Sequence, residues 1–169
     1  MFETPEEING LARLLGATMD VANAHMTSIV TPERRLSARQ VVAYLQGTRQ
    51  VAFATVTPKG EPRVSPLDAL FIHGRFVMGT GGGAARLRNL RANPGCSAVH
   101  MDGDRIAVVV NGEVEWIGRE HPDHDLLIQT WFRLYGADPY TLGPGVTFFR
   151  IRPVSMWAFA SHPEEFPEG

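Results

Sequence analysis

The stretch GTGGGAARLRNLRANP, Gly79 to Pro94, sets three consecutive glycines, Gly81 to Gly83, between an apolar run and a short Ala/Arg/Leu-rich segment. Three readings fit these residues. Gly79, Gly81 and Ala84 match G-x-G-x-x-A, with Asp102 at about the distance of a ribose-binding acid. Alternatively, the glycines and the helix start after them form a phosphate cradle. Amides at a helix N-terminus attract anions, glycine lets the backbone approach closely, and Arg86 in the first turn adds a forked cation, with Arg88 and Arg91 behind it. The third reading is a flexible turn whose arginines form a solvated helix face.

The flanks narrow the choice. Upstream, RQVAFATVT, a turn at Pro58-Lys59-Gly60, PRVSPLDALFI, a turn at His73-Gly74 and RFVMGT read as a meander of three strands. Downstream, CSAVHM, the turn DGD and RIAVVVNGEVEWI read as another hairpin. PDHDLLIQTWFRLYG reads as an amphipathic helix capped near Asp123 and stopped at Gly136. ADPYTLGPG is a loop, and VTFFRIRPVSMWAFA is a last long strand in which Pro153 implies an edge or a bulge. A doubly wound dinucleotide domain needs several strand–helix–strand crossovers, and only one can be drawn here. The pattern is α+β, mainly β, with about six strands that close into a small antiparallel barrel.

Before the barrel, Thr4, Pro5 and Glu7 form a capping box for a helix to about Ala24, weakened by Gly10 and Gly16. HMTSIVTPERR reads as a linker, and Ser37 with Gln40 opens a second helix. The expected organisation is a helix and linker over 1–36, a barrel over 37–160 and a polar tail over 161–169.

The 169 residues suit one domain with a sizeable core. The net charge of −2 argues against nucleic acid as a partner. The single cysteine, Cys96, excludes an intrachain disulfide and a cysteine-rich metal site. No apolar run approaches the roughly 20 residues of a membrane span and no leader pattern opens the chain, so it reads as cytoplasmic. Fifteen of the sixteen basic residues are Arg, a composition typical of GC-rich genomes.

Taken together, VAFATVTPKGEPRVSPL, RFVMGTGGGAARLRNLRANPGCSAVH and VVVNGEVEWI resemble the pyridoxamine 5'-phosphate oxidase-like split-barrel superfamily. The resemblance is strongest over residues 48–117. It implies a six-stranded antiparallel split barrel of Greek-key type with short peripheral helices. It also implies a homodimer that holds FMN, or the deazaflavin coenzyme F-420, in a groove between subunits; some members bind haem instead. Carried over, the backbone of Ser65, Pro66 and Leu67 runs along the flavin-type ring. Gly79 and Thr80 lie near the phosphate tail, and Arg86 stands where the family places a phosphate-binding lysine. The chain departs from the oxidase pattern at Ala84 and Ala85 (a Ser-Arg pair in oxidases), Ser65 (Arg), Leu70 (Lys) and Ala107 (Gln). The departures point away from a true pyridoxamine phosphate oxidase and leave Arg63, Arg88 and the loop amides, Gly81 included, to supply charge. The implied activity is hydride transfer between the cofactor and a small-molecule substrate, with no side-chain nucleophile. The alternative is a non-catalytic cofactor- or haem-binding protein.

Other residues read as structural. His121 and His124 bracket a helix start containing Pro122, which makes a shared metal-binding face doubtful geometry. His73 and His100 lie at strand ends, where a haem-ligand or proton-relay role is the sharper reading and an ordinary histidine the plainer one. Met78, Met101 and Trp116 read as core or dimer interface, Cys96 as packing. Trp157, Phe159 and Tyr140 read as core, or as walls of a substrate pocket.

Overall fold

The computed structural model describes residues 2–141 and 143–169. Among these residues six strands form the barrel: β1 (Thr48–Val56), β2 (Pro62–Ile72), β3 (Arg75–Thr80), β4 (Gly95–Asp102), β5 (Ile106–Ile117) and β6 (Thr147–Ala160). Their order around the closed barrel is β1-β2-β3-β6-β5-β4, with every neighbouring pair antiparallel. Strands alternate inward and outward, as a period of two requires. Val51, Phe53, Val108, Val110, Phe149 and Ile151 fill the interior. The helices that accompany the barrel are α1 (Pro5–Asp20), α2 (Ala24–Ile29), α3 (Ala38–Tyr44), α4 (Ala85–Ala92) and α5 (His124–Tyr135).

β3 and β4 are consecutive in sequence but not neighbours in the sheet. The chain must cross one barrel end between them, and α4 makes that crossing. Leu87 and Leu90 plug it into the core while its arginines stay outside. The geometry removes the dinucleotide reading, because among the described residues the sheet contains no parallel strand–helix–strand unit. Asp102 is instead paired with Arg105 at 2.8 Å on the surface.

Both capping boxes form. α1, however, ends at Asp20 rather than near Ala24, because Asn23 caps a new helix through its side chain to the Met26 amide at 2.9 Å. The stretch expected as linker therefore contains α2, a 3-10 turn at Pro32–Arg34 and a contact with the barrel edge. β3 pairs with β6 only over Thr147 to Arg150, so the far half of β6 has a free edge. The N-terminal segment covers it. The Met156 amide donates to Thr18 Oγ1 at 3.0 Å, the Leu36 amide donates to the Ala158 carbonyl at 3.1 Å, and Arg35 bridges Phe159. Ile8, Leu11, Leu15 and Met19 bury the helix face that makes this contact. The C-terminal tail is also docked: Phe166 is buried edge-on to Tyr44, and Gln40 Nε2 donates to the carbonyls of Pro163 and Phe166.

Asp123 holds the N-cap position of α5 without making a cap hydrogen bond. Its carboxylate is drawn instead to the Arg150 guanidinium, a charge-assisted bond that outcompetes a neutral amide. Arg150 also forks onto Glu115, at 2.8 and 2.9 Å, and Arg75 joins at 3.0 Å. Hydrogen bonding to Arg150 holds the Glu115 carboxyl down to about 2, against a partial burial that pushes the other way. Its stabilising contribution is therefore complete above the unfolded value of about 4.5 and fades as pH falls toward 2. Glu115→Gln is expected to lower stability by about 1 kcal/mol at pH 7, a figure discounted for solvent screening at this partly exposed site. Denaturation curves for the two proteins should converge as the solution is acidified to pH 2; a gap that persists there contradicts the assignment.

The loop 137–145 contains a 3-10 turn at Pro139–Thr141, and Leu142 lies outside the described residues. Pro153 sits at a bulge: Gly112 pairs with Pro153 while Asn111 pairs with Ser155, leaving Val154 as the extra residue.

Candidate cofactor site

α4 leaves the barrel end beside the β1–β2 hairpin, and a cavity of about 610 Å³ opens between them. Four of the nine residues expected at a cofactor line it: Arg63 and Ser65 from β2, Arg86 and Arg88 from α4. Thr80 stands directly behind them. Arg86 Nη1 donates to Thr80 Oγ1 at 2.6 Å, and its Nη2 and Nε reach Ser65 Oγ at 3.1 and 3.3 Å. The guanidinium is thus clamped across two strands by neutral hydroxyls. Among the described residues no carboxylate lies within ion-pairing distance of it, and burial lowers its pKa from the ordinary value. A partly desolvated cation without a counter-charge is a costly arrangement that a bound anion offsets. Ser65 lines the cavity, and its O–H group remains able to donate there.

The rest of the cradle is cationic. Lys59, Arg63 and Arg88 join Arg86 on the cavity wall, against Glu61 alone. Glu61 pairs with Arg63 at 2.7 Å, but both are more than half exposed, so the pair is weak. The N-cap of α4 is Ala84, which offers no side-chain acceptor; the Leu87 amide turns back to the Ala84 carbonyl at 3.1 Å, and the Ala85 and Arg86 amides have no backbone acceptor among the described residues. The small side chains of Ala84 and Ala85 line the cavity.

Only one of the three glycines is sterically required. A Cβ on Gly82 would lie 2.8 Å from the Gly145 carbonyl oxygen, and the Gly82 amide donates to the Pro144 carbonyl at 3.2 Å. Gly81 and Gly83 have ordinary φ, and nothing lies within 4 Å of where a methyl group would stand on either. Gly81→Ala and Gly83→Ala are expected to leave the melting temperature within about 2 °C of wild type. Gly82→Ala should lower it clearly, and equal effects at all three positions would refute this division.

The structure places the other expected residues around the cavity rather than on its wall. Gly79 packs against an aromatic: a Cβ there would meet Phe148 Cε1 at 2.6 Å. Gly81 is exposed in the loop. Pro66 and Leu67 continue β2 beyond Ser65. Pairing with β3 covers only Ala69 to Ile72, so the β2 edge over Ser65 to Leu67 is unpaired on that side. Such an edge leaves backbone polar groups without a strand partner on that side. Lys59, Thr55, Thr57 and Asn89 also line the cavity, and sequence reasoning does not single them out. Lys59 carried the one available signal, as the chain's sole lysine in a turn beside the motif.

Other candidates are absorbed by the structure. His100 Nδ1 lies 2.8 Å from the Gln50 carbonyl and Nε2 lies 3.0 Å from the Tyr44 hydroxyl, so both ring nitrogens are engaged. His124 Nε2 meets Tyr140 at 2.8 Å, whereas His121 Nδ1 accepts from the Asp123 amide at 3.1 Å. Among the described residues no cluster of three His, Cys, Asp or Glu side chains is placed to hold a metal. Cys96 is buried, and burial pushes its thiol up to about 12. Met78 is core, while Met101 is exposed. Trp157 and Phe159 face outward from β6, away from the cavity lining. Among the described residues no helix is long and apolar enough to cross a membrane.

A closed six-stranded antiparallel barrel whose β3–β4 crossover is a basic helix defines a split-barrel protein. The family model described as pyridoxamine 5'-phosphate oxidase matches residues 37–159, well over half of the chain, and the chain belongs to that family. Several solved structures share the fold. A conserved hypothetical protein from Mycobacterium tuberculosis aligns with a TM-score of 0.67 at 20% identity, over 80% of this chain and 92% of that one. A FAD-binding protein from Mesorhizobium loti gives 0.61 at 24%, over 76% and 97%. The haem storage protein of Vibrio cholerae gives 0.58 at 19%, over 66% and 85%. At such identities the likeness carries the fold alone. No curated protein matches the chain in sequence.

Proposed function

We propose that the chain is a flavin-type oxidoreductase that anchors the phosphate of FMN or of F-420 in the α4 cavity. The observation that carries this reading is Arg86, clamped between Ser65 and Thr80 with no carboxylate among the described residues to neutralise it. The residues fit such a group: one half-buried guanidinium fork, the Ser65 hydroxyl, the amides of Ala85 and Arg86 and three further cations at the wall. Once bound, the cofactor would supply hydride chemistry to a small-molecule substrate through its ring. The chain's part is placement. Arg86 and Ser65 hold the phosphate end with Thr80 bracing the guanidinium from behind, the unpaired β2 edge from Ser65 to Leu67 orients the ring, and Lys59, Arg63 and Arg88 accept the remaining negative charge.

The same reading makes the protein a homodimer. The outward residues Pro66, Ala52, Val99, Val109 and Trp157 are cross-strand partners in one row across five strands, and none is charged. Val64 and Met101 beside it are 71% and 58% exposed. A contiguous apolar face of this kind marks an interface. Val99→Arg is expected to convert a dimer to a monomer in sedimentation while leaving the fold intact. A wild-type monomer would remove the proposal.

The deciding experiment is titration of the purified protein with FMN, F-420 and haem. Saturation by FMN or F-420 supports the reading. Saturation by haem alone, or cofactor binding without turnover of any substrate, gives the non-catalytic alternative.

A further inference from the structure

We propose that the crevice between α1 and β6 binds a carboxylic acid whose apolar chain is about eight carbons long. The crevice shares no lining residue with the α4 cavity and stands independently of the cofactor reading. It holds a cavity of about 250 Å³. Ala12, Leu15, Gly16 and Met19 line it from one face of α1. Val30, Leu36 and Ala158, all buried, line it as well, with Trp157 as its aromatic residue. Gly16 has an ordinary φ, and nothing lies within 4 Å of where its methyl group would stand. Glycine inside a helix is a destabilising choice. Neither the backbone nor a close neighbour demands it here, and its effect is to leave open space at the crevice.

One charged residue lines the crevice, and it has no paired counter-charge. Arg35 Nε donates to the Val30 carbonyl at 3.2 Å, which holds the guanidinium beside a lining residue. Among the described residues its two Nη groups have no hydrogen-bond partner, and no carboxylate lies within ion-pairing distance. Glu33 feels its charge from beyond that distance, fully in solvent. Ser37, the other polar lining residue, is already engaged: its Oγ accepts from the Gln40 amide at 3.2 Å and donates to Glu168 at 2.7 Å. The free polar chemistry of the crevice is therefore a forked cationic donor, which matches a carboxylate. The helix wall from Ala12 to Met19 rises about 10 Å, the reach of an extended eight-carbon acid. An apolar cavity of about 150 Å³ takes up benzene, so this one suits roughly ten non-hydrogen atoms, the size of octanoate.

The test titrates the purified full chain with octanoate and octan-1-ol, followed by tryptophan fluorescence and by calorimetry. Octanoate is expected to saturate at one site per chain and to bind about fivefold more tightly than the alcohol, the worth of an ion pair at an exposed guanidinium. Arg35→Gln should bring the two probes to equal affinity. Arg39→Gln, at a neighbouring arginine outside the crevice, should leave the preference intact. Trp157→Phe should remove most of the fluorescence change while calorimetric binding persists. Gly16→Leu occupies the open position. It should raise the melting temperature through helix propensity and weaken octanoate by at least about tenfold, and it carries the test if Arg35→Gln does not fold. The proposal is overturned by a wild type without saturable binding or without preference for the acid, by a preference that survives Arg35→Gln, by a fluorescence change that survives Trp157→Phe, or by Gly16→Leu binding as wild type. Octanoate should not compete with FMN or F-420, so failure of either reading leaves the other standing.

Discussion

Arg86→Glu is expected to raise the Kd for FMN or F-420 by at least about 100-fold, the combined loss of charge-assisted hydrogen bonds and the arrival of a repelling carboxylate. Arg86→Ala should lose most of that affinity, and Arg86→Lys should recover part of it, since an ammonium keeps the charge but not the fork. Stability should move the other way from binding. In the free protein Arg86 is partly desolvated and has only hydroxyl partners among the described residues. Its removal therefore takes away a cost, and the melting temperature of ligand-free Arg86→Ala should be no lower than that of wild type. That combination separates a ligand-binding arginine from a structural one. A variant that melts well below wild type and still binds cofactor normally would show that the cradle is scaffolding.

Gly112→Ala is expected to be the most damaging conservative change in the barrel. A Cβ at this position would lie 2.1 Å from the Arg152 carbonyl oxygen and 2.9 Å from Ile151 Cγ2. Both belong to β6 at the bulge where Val154 is squeezed out of register. The obstacle is backbone in the middle of the longest strand pair, so no side-chain rotation relieves it. A cost of about 3 kcal/mol or more follows, or a fall of about 6–12 °C in melting temperature for a chain of this size. Thermal unfolding followed by circular dichroism measures it. A loss no larger than that of Gly81→Ala would mean that the β5–β6 bulge relaxes freely.

Much of the architecture was legible in the chain because it rests on short-range signals. The alternation of Val51, Phe53 and Thr55 against Ala52 and Ala54 marks a strand with one face in a core. Turn residues at Pro58-Lys59-Gly60 and His73-Gly74 mark hairpins, and Thr4/Glu7 and Ser37/Gln40 write out their own capping boxes. The ordered motifs around Gly79 to Pro94 were enough to place the chain in its family. Where local signals compete, sequence and structure part. Asn23 ends α1 early by capping a helix of its own, and Asp123 leaves its cap duty for Arg150, a partner 27 residues away.

What the sequence by itself determined is which segments are strands and helices, that they close into this barrel, and that Arg86 opens a basic helix. Only the tertiary structure decided which groups gather with Arg86 around the cavity. Thr55 comes from β1, Lys59 from the first turn, Ser65 from β2, Thr80 from β3 and Asn89 from α4. Their meeting depends on β3 and β4 being separated in the sheet, so that α4 must cross the barrel end. No local pattern encodes the partial burial of Arg86 or its lack of a carboxylate partner among the described residues. Those are properties of packing, fixed when distant strands close around the helix.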